Sequence, residues 1–297
     1  MATLRELKGR IGSVASSEKI TGAMKMISSA KMHKAEASLR RLVPFRSQIE
    51  TIIGNLLSSD AVFTSPLVTA RQEVKTAAVI VWGSDDGLCG AYNVNIYKQL
   101  IAKLTQLRQE LGESATVQIM PIGRKMAKAV SRLNMAGVEV TAAPDGIDSK
   151  SDGKPVVAFK QEIQRRFAAH VYDRVDVLYM HYYSAGRQRP DYSQLLPVLA
   201  QELAHNGQKA VTGRPYLFEP NPNAIFNSVL PMYLMAVMQD IFSENQASEQ
   251  AARVMAMQSA NDNAKNLLEQ LQLEYNKLRQ QSITSELLDI VGGQVRD

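Results

Sequence analysis

The chain has one cysteine, Cys89, in 297 residues, so no disulfide forms within it. Its four histidines, His33, His170, His181 and His205, are scattered, and none stands in the spacing of a zinc site. No aromatic residue precedes Phe45, so the basic residues of the N-terminal region have no partner for stacking on nucleic-acid bases. Apolar runs are short. None approaches the ~20 residues that cross a bilayer, and the opening Met1-Ala2-Thr3-Leu4-Arg5-Glu6 lacks the apolar core of a secretory signal. Any membrane association is therefore expected to come through partners.

What is present is enough apolar material to fold: 45% hydrophobic against 21% charged residues excludes a disordered chain. The net charge of +5 is unevenly spread. Residues 1–50 hold ten basic and four acidic side chains, whereas residues 221–297 hold five basic and nine acidic ones. The two ends are electrostatic complements.

From Thr3 to Leu57 the pattern predicts a helix, with Leu4, Leu7, Ile11 and Val14 in 3-4-3 spacing, then Ile20, Met24 and Ile27, then Leu39, Leu42, Ile49, Ile53 and Leu56. Pro44 is expected to kink it or remove one backbone bond. A second long helix is predicted from Pro222 to Val291, where Val254, Met257, Asn261, Ala264, Leu268, Leu271, Tyr275 and Leu278 keep a heptad beat. Two apolar stripes at opposite ends of one chain, opposite in charge, predict an antiparallel coiled coil within the molecule. The alternative is that each helix pairs with another chain.

Between them the pattern alternates strand and helix. Val74–Trp82, Ala115–Pro121 and Val175–Tyr182 read as strands, and Val94–Leu111, Gly123–Leu133 and Pro155–Val171 as helices. The expected fold is thus α/β: a long antiparallel coiled coil of N- and C-terminal helices plus a central Rossmann-like α/β domain. Its expected parts are an N-terminal coiled-coil helix over 1–60, the central domain over 74–218 and a C-terminal coiled-coil helix over 221–297. The polar stretch between Thr141 and Pro155 reads as a mobile surface loop.

The loop GSDDGLCGAYN (Gly83–Asn93) follows a strand and opens a helix, where an α/β protein would hold a nucleotide. It has no G-x-G-x-x-G and no P-loop lysine, and Asp85 and Asp86 would repel a phosphate. A structural turn is the better reading. Cys89 has no histidine close in sequence to activate it and reads as an inert buried thiol. The methionines of both helices read as adaptable packing.

The run NKLRQQSITSELLDIVGG (Asn276–Gly293) places Ile283, Leu287, Leu288, Ile290 and Val291 on several sides of the helix. A helix apolar nearly all round must be enclosed by something, and the shorter N-terminal helix cannot cover these turns. Another protein is expected to form a sleeve around them.

Four blocks, in order, resemble the gamma subunits of F-type ATP synthases: KITGAMKMISSAKMHKAE (Lys19–Glu36), SDDGLCGAYN (Ser84–Asn93), YLFEPNP (Tyr216–Pro222), and SEQAARVMAMQSANDNA (Ser248–Ala264) with YNKLRQQSITSELLDIVGG (Tyr275–Gly293). Gly22 and Asp86 depart from the family pattern, which usually has a lysine and an arginine there. The resemblance implies a non-catalytic rotor, without cofactor or metal, that couples rotation of a membrane ring to ATP synthesis or hydrolysis on beta chains. Its implied partners are three alpha and three beta subunits, an epsilon subunit and a c-ring, with no nucleic acid. The implied location is peripheral, on the cytoplasmic side of the bacterial inner membrane. By matching motif, Arg279 and Gln280 would meet carboxylate-bearing catch loops of beta chains, with Thr284, Glu286 and Asp289 nearby. Met24 would lie in the facing N-terminal turn, and Arg253 would help transmit torque. Arg40, Arg41, Tyr216 and Phe218 would contact epsilon and the c-ring. The residues alone also admit an α/β nucleotide-binding enzyme with dimerising helical arms.

Overall fold

A heptad frame in the first and last helices organises the computed structural model, which describes residues 3–57, 63–142, 146–147, 153–199 and 218–294. Helix α1 spans Leu4–Leu57 and the C-terminal helix Pro222–Gln294. Between them run β1 (Thr76–Trp82), α2 (Tyr92–Leu111), β2 (Thr116–Ile122), α3 (Arg124–Val130), β3 (Val138–Val140), α4 (Lys154–Ala168), β4 (Arg174–Ser184) and β5 (Arg187–Leu196). The last helix is therefore α5. Contacts divide the chain into two units, one of residues 1–29 with 253–297 and one of residues 30–252.

In the first unit α1 and α5 pack through alternating steps of three and four. On α5 every residue of the predicted heptad, Val254, Met257, Asn261, Ala264, Leu268, Leu271, Tyr275 and Leu278, is covered, as are Arg253, Ala256, Gln258, Ala260 and Ser282. On α1 they include Leu4, Leu7, Ile11 and Val14, then Glu18, Thr21, Lys25 and Ser28. Here the expected apolar stripe is corrected. Ile20 and Ile27 are 59% and 57% exposed. They stand one residue before Thr21 and Ser28, which on a helix is a turn of about 100° away from the partner. Phase wins over hydrophobicity, and the seam becomes polar in its middle. There the Asn261 amide donates to the Glu18 carbonyl at 2.7 Å and to Thr21 Oγ1 at 3.3 Å. A side chain on Gly22 would stand 3.3 Å from that amide, so glycine leaves it room.

The second unit is built on one five-stranded sheet ordered β3-β2-β1-β4-β5. The first four strands run parallel, and β5 returns antiparallel to β4 as a hairpin. Strand side chains alternate between faces, so Ala77, Val79 and Val81 join Ile96, Leu100 and Leu104 of α2 and Met126 of α3. Ala78, Ile80 and Trp82 face the other way, into a core with Ile49, Ile53 and Leu56 of α1, Phe159 and Phe167 of α4, and Phe226, Leu230 and Phe242 of α5. This core explains the composition of α5. A window of that helix is apolar enough to cross a membrane by composition, yet 56% of it is buried inside the chain. Within this unit Arg46 of α1 pairs with Asp240 of α5 at 2.7 Å.

Pro44 lies on the exposed side of α1 and does not end the helix. Strands β3 and β5 were not anticipated. Three residues are too few to show alternation, and β5 carries Arg187, Gln188, Arg189 and Pro190, which suit an edge strand and disguise it. Most of the loop expected to be mobile, at 143–145 and 148–152, lies outside the described residues, but Ile147 is buried in the core.

Two glycines test this packing in opposite directions. A Cβ on Gly83 would sit 2.4 Å from the Met126 Cβ, whereas one on Gly12 meets nothing within 4 Å. Gly83→Ala is expected to destabilise the chain by about 2–3 kcal/mol through overpacking, and Gly12→Ala to stabilise it by about 1 kcal/mol through helix propensity. Urea denaturation of the purified variants measures both.

Candidate functional site

The loop after β1 is held by its own polar groups. Asn93 Oδ1 accepts the Ser84 N–H at 3.1 Å, and Asn93 Nδ2 donates to Ser84 Oγ at 2.7 Å. Asp85 is buried and accepts the Arg124 backbone N–H at 2.9 Å, fastening β1 to the start of α3. Asp86 faces the Arg124 guanidinium at 3.5 Å. Both carboxylates thus serve the turn, and Cys89 is buried between α2 and the sheet.

The crevice that an α/β fold opens at its switch point lies here, where β1 and β4 part. Their pairing ends at Val81 and Leu178, leaving the Gly83 carbonyl and both backbone groups of Met180 beyond the last rung. Helix α5 fills that fork. The Asn245 amide donates to the Gly83 carbonyl at 3.2 Å and its oxygen accepts the Met180 N–H at 3.4 Å, so the carboxamide acts as an added peptide rung. Tyr92 Oη donates to the same oxygen at 2.6 Å, and Ser248 Oγ donates to the Met180 carbonyl at 3.0 Å. Asn245 and Ser248 are 1% and 0% exposed. No dinucleotide enters a fork closed in this way, which removes the physical basis of the enzyme reading.

The opposite condition holds at the end of α5. Arg279, Gln280, Thr284, Glu286 and Asp289 are all exposed, and Thr284 Oγ1 donates back to the Gln280 carbonyl at 2.9 Å. Ile283, Leu287, Leu288, Ile290 and Val291 are also exposed, Leu288 by 66%. The seam stops at Ser282, and the turns that follow show apolar and charged groups on every side. Met24 and Arg253 are not part of this tip. Met24 is half-buried two residues from Gly22, near the level of Asn261, and Arg253 is buried about 39 Å along the helix from Arg279 at 1.5 Å per residue. Arg40 and Arg41 are exposed on α1, Phe218 packs partly against the core, and Tyr216 lies outside the described residues.

The matches to known proteins run the length of the chain. Residues 3–295 match the family described as ATP synthase. The ATP synthase gamma chain of Phocaeicola vulgatus is 39% identical over 294 residues, covering 99% of both chains, and that of Bacteroides thetaiotaomicron is 36% identical over the whole of both. The chain belongs to the ATP synthase gamma family. It is a non-catalytic rotor subunit of an F-type ATP synthase. The fold also resembles a rotor chain of the Euglena gracilis mitochondrial ATP synthase, with a TM-score of 0.61 at 18% identity over 94% of this chain and 98% of that one. A central-stalk chain from Tetrahymena thermophila aligns with a TM-score of 0.55 at 22% identity over 81% and 99%.

Sequence reasoning missed the polar contacts that join α5 to the rest of its unit. The available signal was a row of polar residues, Asp240, Glu244, Asn245, Ser248 and Glu249, interrupting an otherwise apolar helix. One of these contacts is titratable. His181 of β4 bonds Glu244 of α5, with Asp191 of β5 and Arg46 of α1 nearby and the rings of Tyr179 and Tyr183 against the imidazole. The bond to Glu244 holds the His181 pKa above its usual 6.5, against the opposing effects of burial and Arg46. A raised value in the folded state makes this contact's contribution complete below the unfolded pKa and lost as pH rises through the folded one. The stability of the wild-type chain relative to His181→Asn is therefore expected to fall between about pH 6 and about pH 9. Urea denaturation at the two pH values reads the difference, and equal differences at both would contradict the assignment.

Proposed function

We propose that the bare end of α5 turns inside a sleeve formed by three alpha and three beta subunits, and that this turning couples rotation of a proton-driven c-ring to ATP synthesis or hydrolysis on the beta chains. The single observation that supports this reading is the tip itself. Five large apolar side chains fall within residues 283–291, a stretch in which every residue is exposed, and only a surrounding partner removes them from water. The complex is membrane-associated, and the chain sits peripherally on the cytoplasmic side of the inner membrane. Arg40, Arg41 and Phe218, together with Tyr216, meet the epsilon subunit and the c-ring.

Coupling on this reading is differential contact energy. A pair of helices is not threefold symmetric, so each of three identical beta chains meets a different side of it, and a partner shifts an equilibrium only by its difference in affinity for two states. Arg279 and Gln280 supply a charge and a hydrogen-bonding amide toward carboxylate-bearing catch loops, with Thr284, Glu286 and Asp289 in the same region. Met24 and Arg253 act farther along the shaft, Arg253 from a buried position that stiffens it.

Replacing both Arg279 and Gln280 by Ala is expected to lower ATP-driven proton pumping by the assembled complex about fivefold, the effect of losing roughly 1 kcal/mol of differential contact. Unchanged pumping and rotation would remove their assigned role. Deleting the residues after Ile283 is expected to weaken assembly with the hexamer, measured by co-purification and imaging.

A further inference from the structure

We propose that the carboxamide of Asn245, with Tyr92 and Ser248, is the joint through which torque passes between the α/β sheet and helix α5. The proposal rests on the rotor reading and names the residues that make the rotor turn as one piece within the unit of residues 30–252.

Most of the contact between α5 and the sheet is apolar, through Phe226, Leu230, Leu234, Ile241 and Phe242. Apolar contact is non-directional, so it opposes separation strongly and sliding or twisting weakly. Hydrogen bonds oppose both, because they weaken steeply as their angle departs from linear. The bonds at Asn245 and Ser248 reach three separate elements: the Gly83 carbonyl after β1, both backbone groups of Met180 in β4, and the Tyr92 hydroxyl at the start of α2. These bonds leave Asn245 and Ser248 toward three elements, so turning the helix against the sheet bends several of them at once.

The joint is also demanding in chemistry. Gly83 presents an acceptor and Met180 a donor, and a carboxamide is the side chain that answers both from one planar group. Aspartate at 245 would lack the donor, and leucine would fill the volume with neither. All of these groups are buried, so a lost bond is not replaced by water.

The test uses the full complex, with the hexamer fixed and a bead on the c-ring reporting angular fluctuation while the rotor is held at a catalytic pause. Asn245→Leu is expected to raise the angular variance roughly twofold, and Tyr92→Phe by less, because the first removes the amide's bonds and the second only one hydroxyl. Ile163→Ala, a cavity in the α4 core away from the joint, is expected to lower thermal stability without changing the variance. If Asn245→Leu fails to assemble, Tyr92→Phe carries the test. Variance equal to wild type in every joint variant that assembles, or an equal rise in Ile163→Ala, overturns the joint. A wild-type complex that does not rotate overturns the rotor reading instead, so the two failures are distinguishable.

Discussion

The fork between β1 and β4 sets the main constraint on the second unit, because it leaves backbone donors and acceptors buried with no strand to pair them. An unpaired buried peptide group costs about 1–3 kcal/mol, and this fork has three such groups at Gly83 and Met180. In many parallel sheets the same opening receives a ligand. Here α5 crosses it, and a helix of this chain does what a bound molecule would otherwise do. The site a nucleotide-binding relative would use is spent on holding the molecule together.

The burial pattern of α5 follows from that crossing. Between Phe226 and Ala251 the helix is covered on nearly every side, by the sheet, α1 and α4. From Arg253 onward the cover narrows to a seam, and over 283–291 every residue is exposed. One helix thus passes from core, to coiled coil, to bare tip. Each stage leaves its mark on composition: apolar residues with a few buried polar ones, then a heptad beat, then apolar and charged residues mixed on all sides.

Much of this was legible in the residues. The heptad of α5 and the strands β1, β2 and β4 follow from spacing, since burial on one face or two imposes a period. The tip was legible because its apolar residues outnumber what a single partner helix can cover. Ile20 and Ile27 misled because a 3-4 spacing fixes a stripe but not its phase against the partner, and the phase was already set by Leu4 and Leu7. The short strand β3 and the edge strand β5 carry too little alternation to be read. The contacts of Asn245 and His181 depend on residues 63 to 162 positions away, which no local pattern records.

The polar middle of the seam in the first unit has a mechanical meaning. Were α5 to creep along α1 by one heptad toward its N-terminus, the Asn261 amide would exchange the Thr21 hydroxyl for the apolar Val14 and meet Ala15 where Gly22 now leaves it room. Losing the Thr21 bond costs about 1 kcal/mol, and the crowding at Ala15 adds to it. Asn261 is a detent. It gives the two helices one preferred axial setting, so that a shaft loaded along its length returns to the same alignment after each push.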